Sequence, residues 1–110
     1  MLVLPIKKKW FDMIVSGEKK EEYREIKSYW TSRLKYYTPA LIVGSNTERV
    51  APTFEVGFRN GYNKNSPMLI CKCKLRTGTG KEEWGAIPRR ECYILTILKI
   101  LEVRNVTYKK

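Results

Sequence analysis

The sequence predicts an α+β protein, a small and mostly antiparallel β-barrel of about six strands with two helices near its start. Two runs before residue 40 space their apolar residues at helical intervals, whereas the chain from Ala40 onward reads as successive strands separated by turn residues. At 110 residues the chain has the commonest size of one domain, so residues 1–110 are read as a single unit. A barrel closes such a set of strands without leaving long open edges.

The opening "MLVLPI" is a short apolar strand. In "KKKWFDMIVS", Trp10, Phe11, Ile14 and Val15 share one helical face, and Gly17 follows where a left-handed C-terminal cap would sit. Lys7, Lys8 and Lys9 occupy the first turn, where the helix dipole disfavours cations. Either a ligand outside the helix compensates them, or they are solvated at a small cost. Next comes "SGEKKEEYRE", which holds four of the chain's eleven acidic residues beside three basic ones. With one aromatic and no aliphatic residue it cannot be a strand buried on both faces. As an extended segment it puts Lys20, Glu22 and Arg24 on one side and Lys19, Glu21, Tyr23 and Glu25 on the other. It is an exposed edge or the lining of a polar cleft.

"KSYWTSRLKYY" reads as a second helix, with Ser28 as its N-cap, Trp30, Leu34 and Tyr37 as its apolar stripe and an end before Pro39. Tyr29 and Arg33 fall on a neighbouring face and are left as ligand contacts. The strands that follow are "ALIVG", "TFEVGFR", "PMLICKCKLR" and "CYILTILKILEVR", with a bend at "NGY" between the second and third of these. In "PMLICKCKLR", Leu69, Cys71, Cys73 and Leu75 face one way and Lys72, Lys74 and Arg76 the other, which makes the cysteines small core residues. "RTGTGKEEWGAIPRR" has three glycines and no clear period, so it is a long loop. The last strand is apolar on both faces and is placed centrally in the sheet.

Composition bounds the chemistry. Lys and Arg number 22 against 11 Asp and Glu, a formal charge of +11, which raises the local concentration of polyanions and makes nucleic acid the first partner to consider. There is no histidine, which removes Ser-His and Cys-His catalysis and the commonest metal ligand. Cys71, Cys73 and Cys92 lack the C-x-x-C spacing of a zinc or redox site, so neither metal nor cofactor is expected. No apolar run approaches the ~20 residues that span a bilayer, and no secretory leader is recognisable. A cytoplasmic location away from membranes is the expectation.

Gly17, Lys19, Glu22 and Arg24 together form G-x-K-x-x-E-x-R, which resembles the signature of the ASCH domain, a member of the PUA-like superfamily. The resemblance, to a compact bacterial or phage ASCH protein, extends over "LPIKKKWFDMIVSGEKKEEYRE", the "YW" helix, "FRNGY", "GTGKEEWGA" and the closing strand, nearly the whole chain. It implies a PUA-like bent barrel whose helices flank a cleft lined by the motif, with RNA or a modified nucleotide as ligand. The residue types fit. Arg24 offers a planar fork and Lys19 a point charge to phosphate, while Glu22 can orient Arg24 or accept from a base amino group. Equally, Glu22 and Arg24 can be an ion pair that fixes the segment. Trp84, Tyr29 and Tyr62 are stacking candidates, Trp10 is assigned to the core, and Lys7, Arg33, Arg59 and Asn60 complete the expected nucleic-acid contacts.

Two function classes fit these residues. One is a non-catalytic RNA-binding module. The other is a small enzyme, because the resemblance also implies nucleoside amidohydrolases of the N4-acylcytidine type and ribonucleases, in which Lys19 and Glu22 would be the catalytic residues. In those amidohydrolases a Thr stands three residues after the Lys, and here that position is Glu22, so the hydroxyl nucleophile is missing. Glu55 is the guess for the downstream glutamate. A nucleoside-sized pocket around Lys19, Glu22 and Arg24 would favour base recognition or catalysis, and an open groove running onto Lys72, Lys74 and Arg76 would favour strand binding.

Overall fold

A computed structural model describes residues 1–37 and 53–106 of the chain. Their elements run β1 (Leu2–Pro5), α1 (Lys8–Val15), β2 (Glu21–Glu25), α2 (Ser28–Leu34), β3 (Phe54–Arg59), β4 (Met68–Thr79), a 3₁₀ turn (Glu82–Trp84) and β5 (Glu91–Arg104). The five strands form one curled sheet, a half-barrel in the order β1-β3-β4-β5-β2. The β1–β3 pair is parallel and the other three pairs are antiparallel. Among the described residues β1 and β2 are edges that do not meet, so the sheet is not closed. The expected "ALIVG" strand lies outside the described residues.

One face of the sheet carries the core. Strand alternation turns Leu2 and Leu4, Val56 and Phe58, Cys71, Cys73 and Leu75, and Tyr93 and Leu95 to that face. Phe11 and Ile14 of α1 and Leu34 of α2 pack onto it, as their helical spacing requires. The side chain of Thr31 in α2 is 2.5 Å from the Tyr93 hydroxyl, which ties the second helix to β5. Cys71 and Cys73 are fully buried, and burial pushes the Cys71 thiol up to about 12. They are inert core residues, as their alternation implied.

Several boundaries differ from expectation. Lys27, rather than Ser28, occupies the cap position of α2, and no side chain caps the helix. The long loop is shorter, because β4 continues through Thr79, with Thr77 opposite Tyr93 and Thr79 opposite Glu91. Threonine suits a strand and Gly78 is tolerated opposite Cys92, so the glycines masked the pairing. The second half of β5 is not central, since β2 pairs only with Cys92–Thr96. Beyond that point Leu98, Leu101 and Val103 are exposed. No helix among the described residues is long and apolar enough to cross a membrane.

The connection from β4 to β5 is clamped by β2. A Cβ on Gly80 would lie 2.3 Å from the Tyr23 ring, and the Tyr23 hydroxyl accepts from the Lys81 amide at 3.0 Å. Gly80→Ala therefore displaces Tyr23 and is expected to lower stability by about 1–3 kcal/mol in urea unfolding. A change within a few tenths of a kcal/mol would mean that the clamp is loose.

Candidate functional site

Everything in the site starts from β2 being an edge strand with a charged sequence. Pairing of Glu22 with Leu95 and of Arg24 with Tyr93 turns both side chains to the core face, at its open margin. Lys19 precedes the strand, in the turn that Gly17 opens at a φ of +85°. Its amide donates to the Met13 carbonyl at 2.9 Å, which bends the chain back onto α1. Strand alternation does not govern it there. Lys19 consequently joins Glu22, although a uniform period of two had put them on opposite sides.

Lys19 is among the largest fully buried side chains, with 1% of its surface exposed. Its ammonium lies 3.0 Å from Glu22 Oε1 and donates to the Trp84 carbonyl. The rings of Trp10 and Tyr23 face it at 4.7 and 4.9 Å from their centroids. Burial pulls its pKa below the usual lysine value, Glu22 opposes that shift, and Arg24 adds to it. The other oxygen of Glu22 accepts from Arg24 Nη1 at 2.7 Å. Arg24 also donates to the Tyr23 carbonyl at 2.7 Å and to the Pro5 carbonyl at 2.6 Å, and its guanidinium lies 5.2 Å from the Trp30 ring centroid. Two of its five N–H groups have no acceptor among the described residues.

A second relay holds the same loop from the opposite sheet face. Arg76 reaches Glu21 at 2.9 Å, and Glu21 accepts from the Tyr23 hydroxyl at 2.9 Å. Desolvation raises the Tyr23 pKa. Gly85, at a φ of +101°, turns the chain after Trp84, and a Cβ there would sit 3.0 Å from the Trp10 ring. This glycine lets the Trp84 carbonyl reach Lys19.

Above this chain of charges the surface opens into a cleft with three adjoining lobes. The middle lobe, a cavity of about 240 Å³, is walled by Trp10, Glu22, Arg24 and Trp84. Tyr23, Arg24 and Gly85 are shared with a lobe of about 210 Å³ that runs to Trp30, Ile87 and Arg90. Pro5, Ile6 and Lys7 are shared with a third lobe, of about 330 Å³, bounded by Arg59, Asn60 and Tyr62. Asn60 fixes the last boundary by donating to the Ile6 carbonyl at 2.9 Å. Tyr62 is 96% exposed.

The structure thus brings Lys7, Glu22, Arg24, Arg59, Asn60, Tyr62 and Trp84 to one cleft, with Lys19 beneath its floor and outside its lining. Tyr29 and Arg33 stand elsewhere. They stack on each other at 3.5 Å on the exposed side of α2 and line none of the three lobes. Glu55 pairs in register with Lys72 on the outer sheet face, away from Lys19 and Glu22. Lys72, Lys74 and Arg76 also point to that face, so the cleft does not run onto them. Sequence reasoning missed Arg90, which lies past a loop without period, and assigned Trp10 and Trp30 to the core; both do pack against it, half-buried, and also line the cleft, because aromatic spacing on a helix says nothing about a rim. Among the described residues no group of three or more Cys, Asp or Glu is placed to hold a metal ion.

Compared with family models, curated proteins and solved structures, the chain finds no match.

Removing one partner of a buried ion pair strands the other charge. Glu22→Gln is therefore expected to cost about 3–5 kcal/mol by chemical denaturation. Retention of wild-type stability would show that Glu22 does not hold the Lys19 ammonium. Lys19 also sets a pH signature. Its folded pKa lies below the unfolded value of 10.5, so between the two the unfolded chain binds a proton that the folded chain does not. Stability contributed by this group rises with pH through that window. The stability of the wild type relative to Lys19→Met is expected to increase as pH rises toward 10.5. A difference that is flat with pH would contradict the burial of a charged Lys19.

Proposed function

We propose that the chain is an RNA- or modified-nucleotide-binding module of the ASCH type, with a PUA-like fold, that takes its ligand in the cleft over Arg24. The observation that supports this reading is the middle lobe. A preorganised arginine fork, two N–H groups to spare, borders a nucleoside-sized cavity walled by Trp84 and by a carboxylate. Phosphate matches the fork. A base finds a ring face on Trp84 and, for its amino group, an acceptor in Glu22. The net charge of +11 draws such a ligand in and makes its binding salt-dependent. In this reading the protein works in the cytoplasm.

The hydrolase alternative has its own observation, a lysine of lowered pKa bonded to a carboxylate. Against it stand the complete enclosure of that lysine behind Glu22 and the lack of a hydroxyl at position 22. Binding is the better supported of the two.

Fluorescence anisotropy with labelled short RNAs at two salt concentrations tests the reading. Arg24→Lys keeps the charge but loses the fork and is expected to weaken binding roughly tenfold. Trp84→Ala is expected to do at least as much. Lys72→Ala/Lys74→Ala, which removes two charges from the outer face, is expected to change affinity by less than about threefold at the higher salt. The reverse ranking would move the ligand to the outer face. Release of acetate from N4-acetylcytidine by the wild type would favour the hydrolase.

A further inference from the structure

Of the two proposed ligands RNA is an oligomer, and the three lobes share a repeating pattern that a single nucleotide does not need. Each lobe has an aromatic ring in its wall: Trp30 in the first, Trp84 in the middle one and Tyr62 in the third. Each partition between lobes carries a cation. Arg24 stands between the first and the middle lobe, and Lys7 between the middle lobe and the third. Two further cations line only the outer lobes, Arg90 the first and Arg59 the third.

The cleft therefore runs from a lobe with Trp30 and Arg90, past Arg24, to a lobe with Trp84, and past Lys7 to a lobe with Tyr62 and Arg59. Single-stranded RNA presents the same alternation, an anionic phosphate between each pair of flat bases. From this match, and resting on the binding reading above, we infer that the cleft holds three consecutive nucleotides of single-stranded RNA, one base per lobe, with the intervening phosphates at Arg24 and Lys7. Trp10 is assigned no base, because two ammonium groups, Lys9 and Lys19, and Gly85 already lie against its ring, whereas Trp30 and Trp84 each carry a single cation, Arg24 and Lys81. Tyr62 does, since 96% of its surface is exposed and it carries no packing role. Glu25 in the first lobe and Glu22 in the middle one are acceptors for exocyclic amino groups, so the bases in those lobes carry such a group. A duplex is excluded from this arrangement because its bases are stacked on one another and turned inward.

The test is a length series of oligocytidylates, from one to six nucleotides, measured with the full chain by calorimetry or competition. Affinity is expected to rise by roughly five- to 150-fold with each added base up to three and then to level off. Tyr62→Ala, a surface change, is expected to make the curve level off one nucleotide earlier, with the trinucleotide losing far more affinity than the dinucleotide. Saturation at a single nucleotide would overturn the three-lobe assignment and leave the binding reading intact. A steady rise through six without a plateau would overturn it too, since it would signal a diffuse basic surface. Equal affinity for a linear polyphosphate of the same charge would show that the rings are idle and would also overturn it. Absence of binding at every length would remove both this inference and the binding reading on which it rests.

Discussion

A buried ammonium is the constraint on which the remaining structure depends. Enclosing Lys19 without partners would cost several kcal/mol, so the fold must bring a carboxylate, a carbonyl and two ring faces to a single point. Those four groups come from α1, β2 and the loop before β5. Satisfying one cation thus joins three parts of the chain that hydrophobic packing alone would leave free to slide. Glu22 then has one oxygen to spare, and that oxygen holds Arg24 at the rim.

This explains why opposite charges are concentrated just after the first helix of a strongly basic chain. β2 sits at the edge of the sheet, where a row of charged side chains also discourages pairing with another chain. Its two faces use their charges differently. Inward, Glu22 links the buried Lys19 to Arg24, and the net positive charge of the three is delivered to the cleft. Outward, Glu21 links Arg76 to Tyr23, whose ring and hydroxyl press on Gly80 and Lys81. Both arrangements act on the segment that carries Trp84. The charged stretch is thereby the frame of the cleft as well as part of its lining.

Much of this was legible in the sequence where periodicity was strong. The helical spacing of Phe11, Ile14 and Leu34 and the alternation of Leu69 to Leu75 gave both helices and the inner face of β4. Glu22, Arg24 and Trp84, singled out in the sequence, line one lobe of the cleft. Other features were hidden for physical reasons. Lys19 precedes β2 by a turn, so a period of two assigned it to the wrong side. The Thr77–Thr79 extension of β4 was masked by its glycines, since only the partner strand shows that they pair. Arg90 and Trp30 reach the cleft through tertiary packing that no local pattern records. Tyr29 and Arg33 satisfy each other on the outside of α2, an outcome that spacing alone does not distinguish from ligand contact.

All three tryptophans of the chain, Trp10, Trp30 and Trp84, line the cleft, and each carries one indole N–H. The most direct test of the account is a two-dimensional ¹⁵N NMR titration that follows these three signals and Arg24 Nε as a short single-stranded RNA is added. Shifts in all four, with the amides of Lys72 and Lys74 unmoved, are the predicted result. Unmoved indole and Arg24 signals together with shifts at Lys72 and Lys74 would place the ligand on the opposite face of the sheet and contradict it.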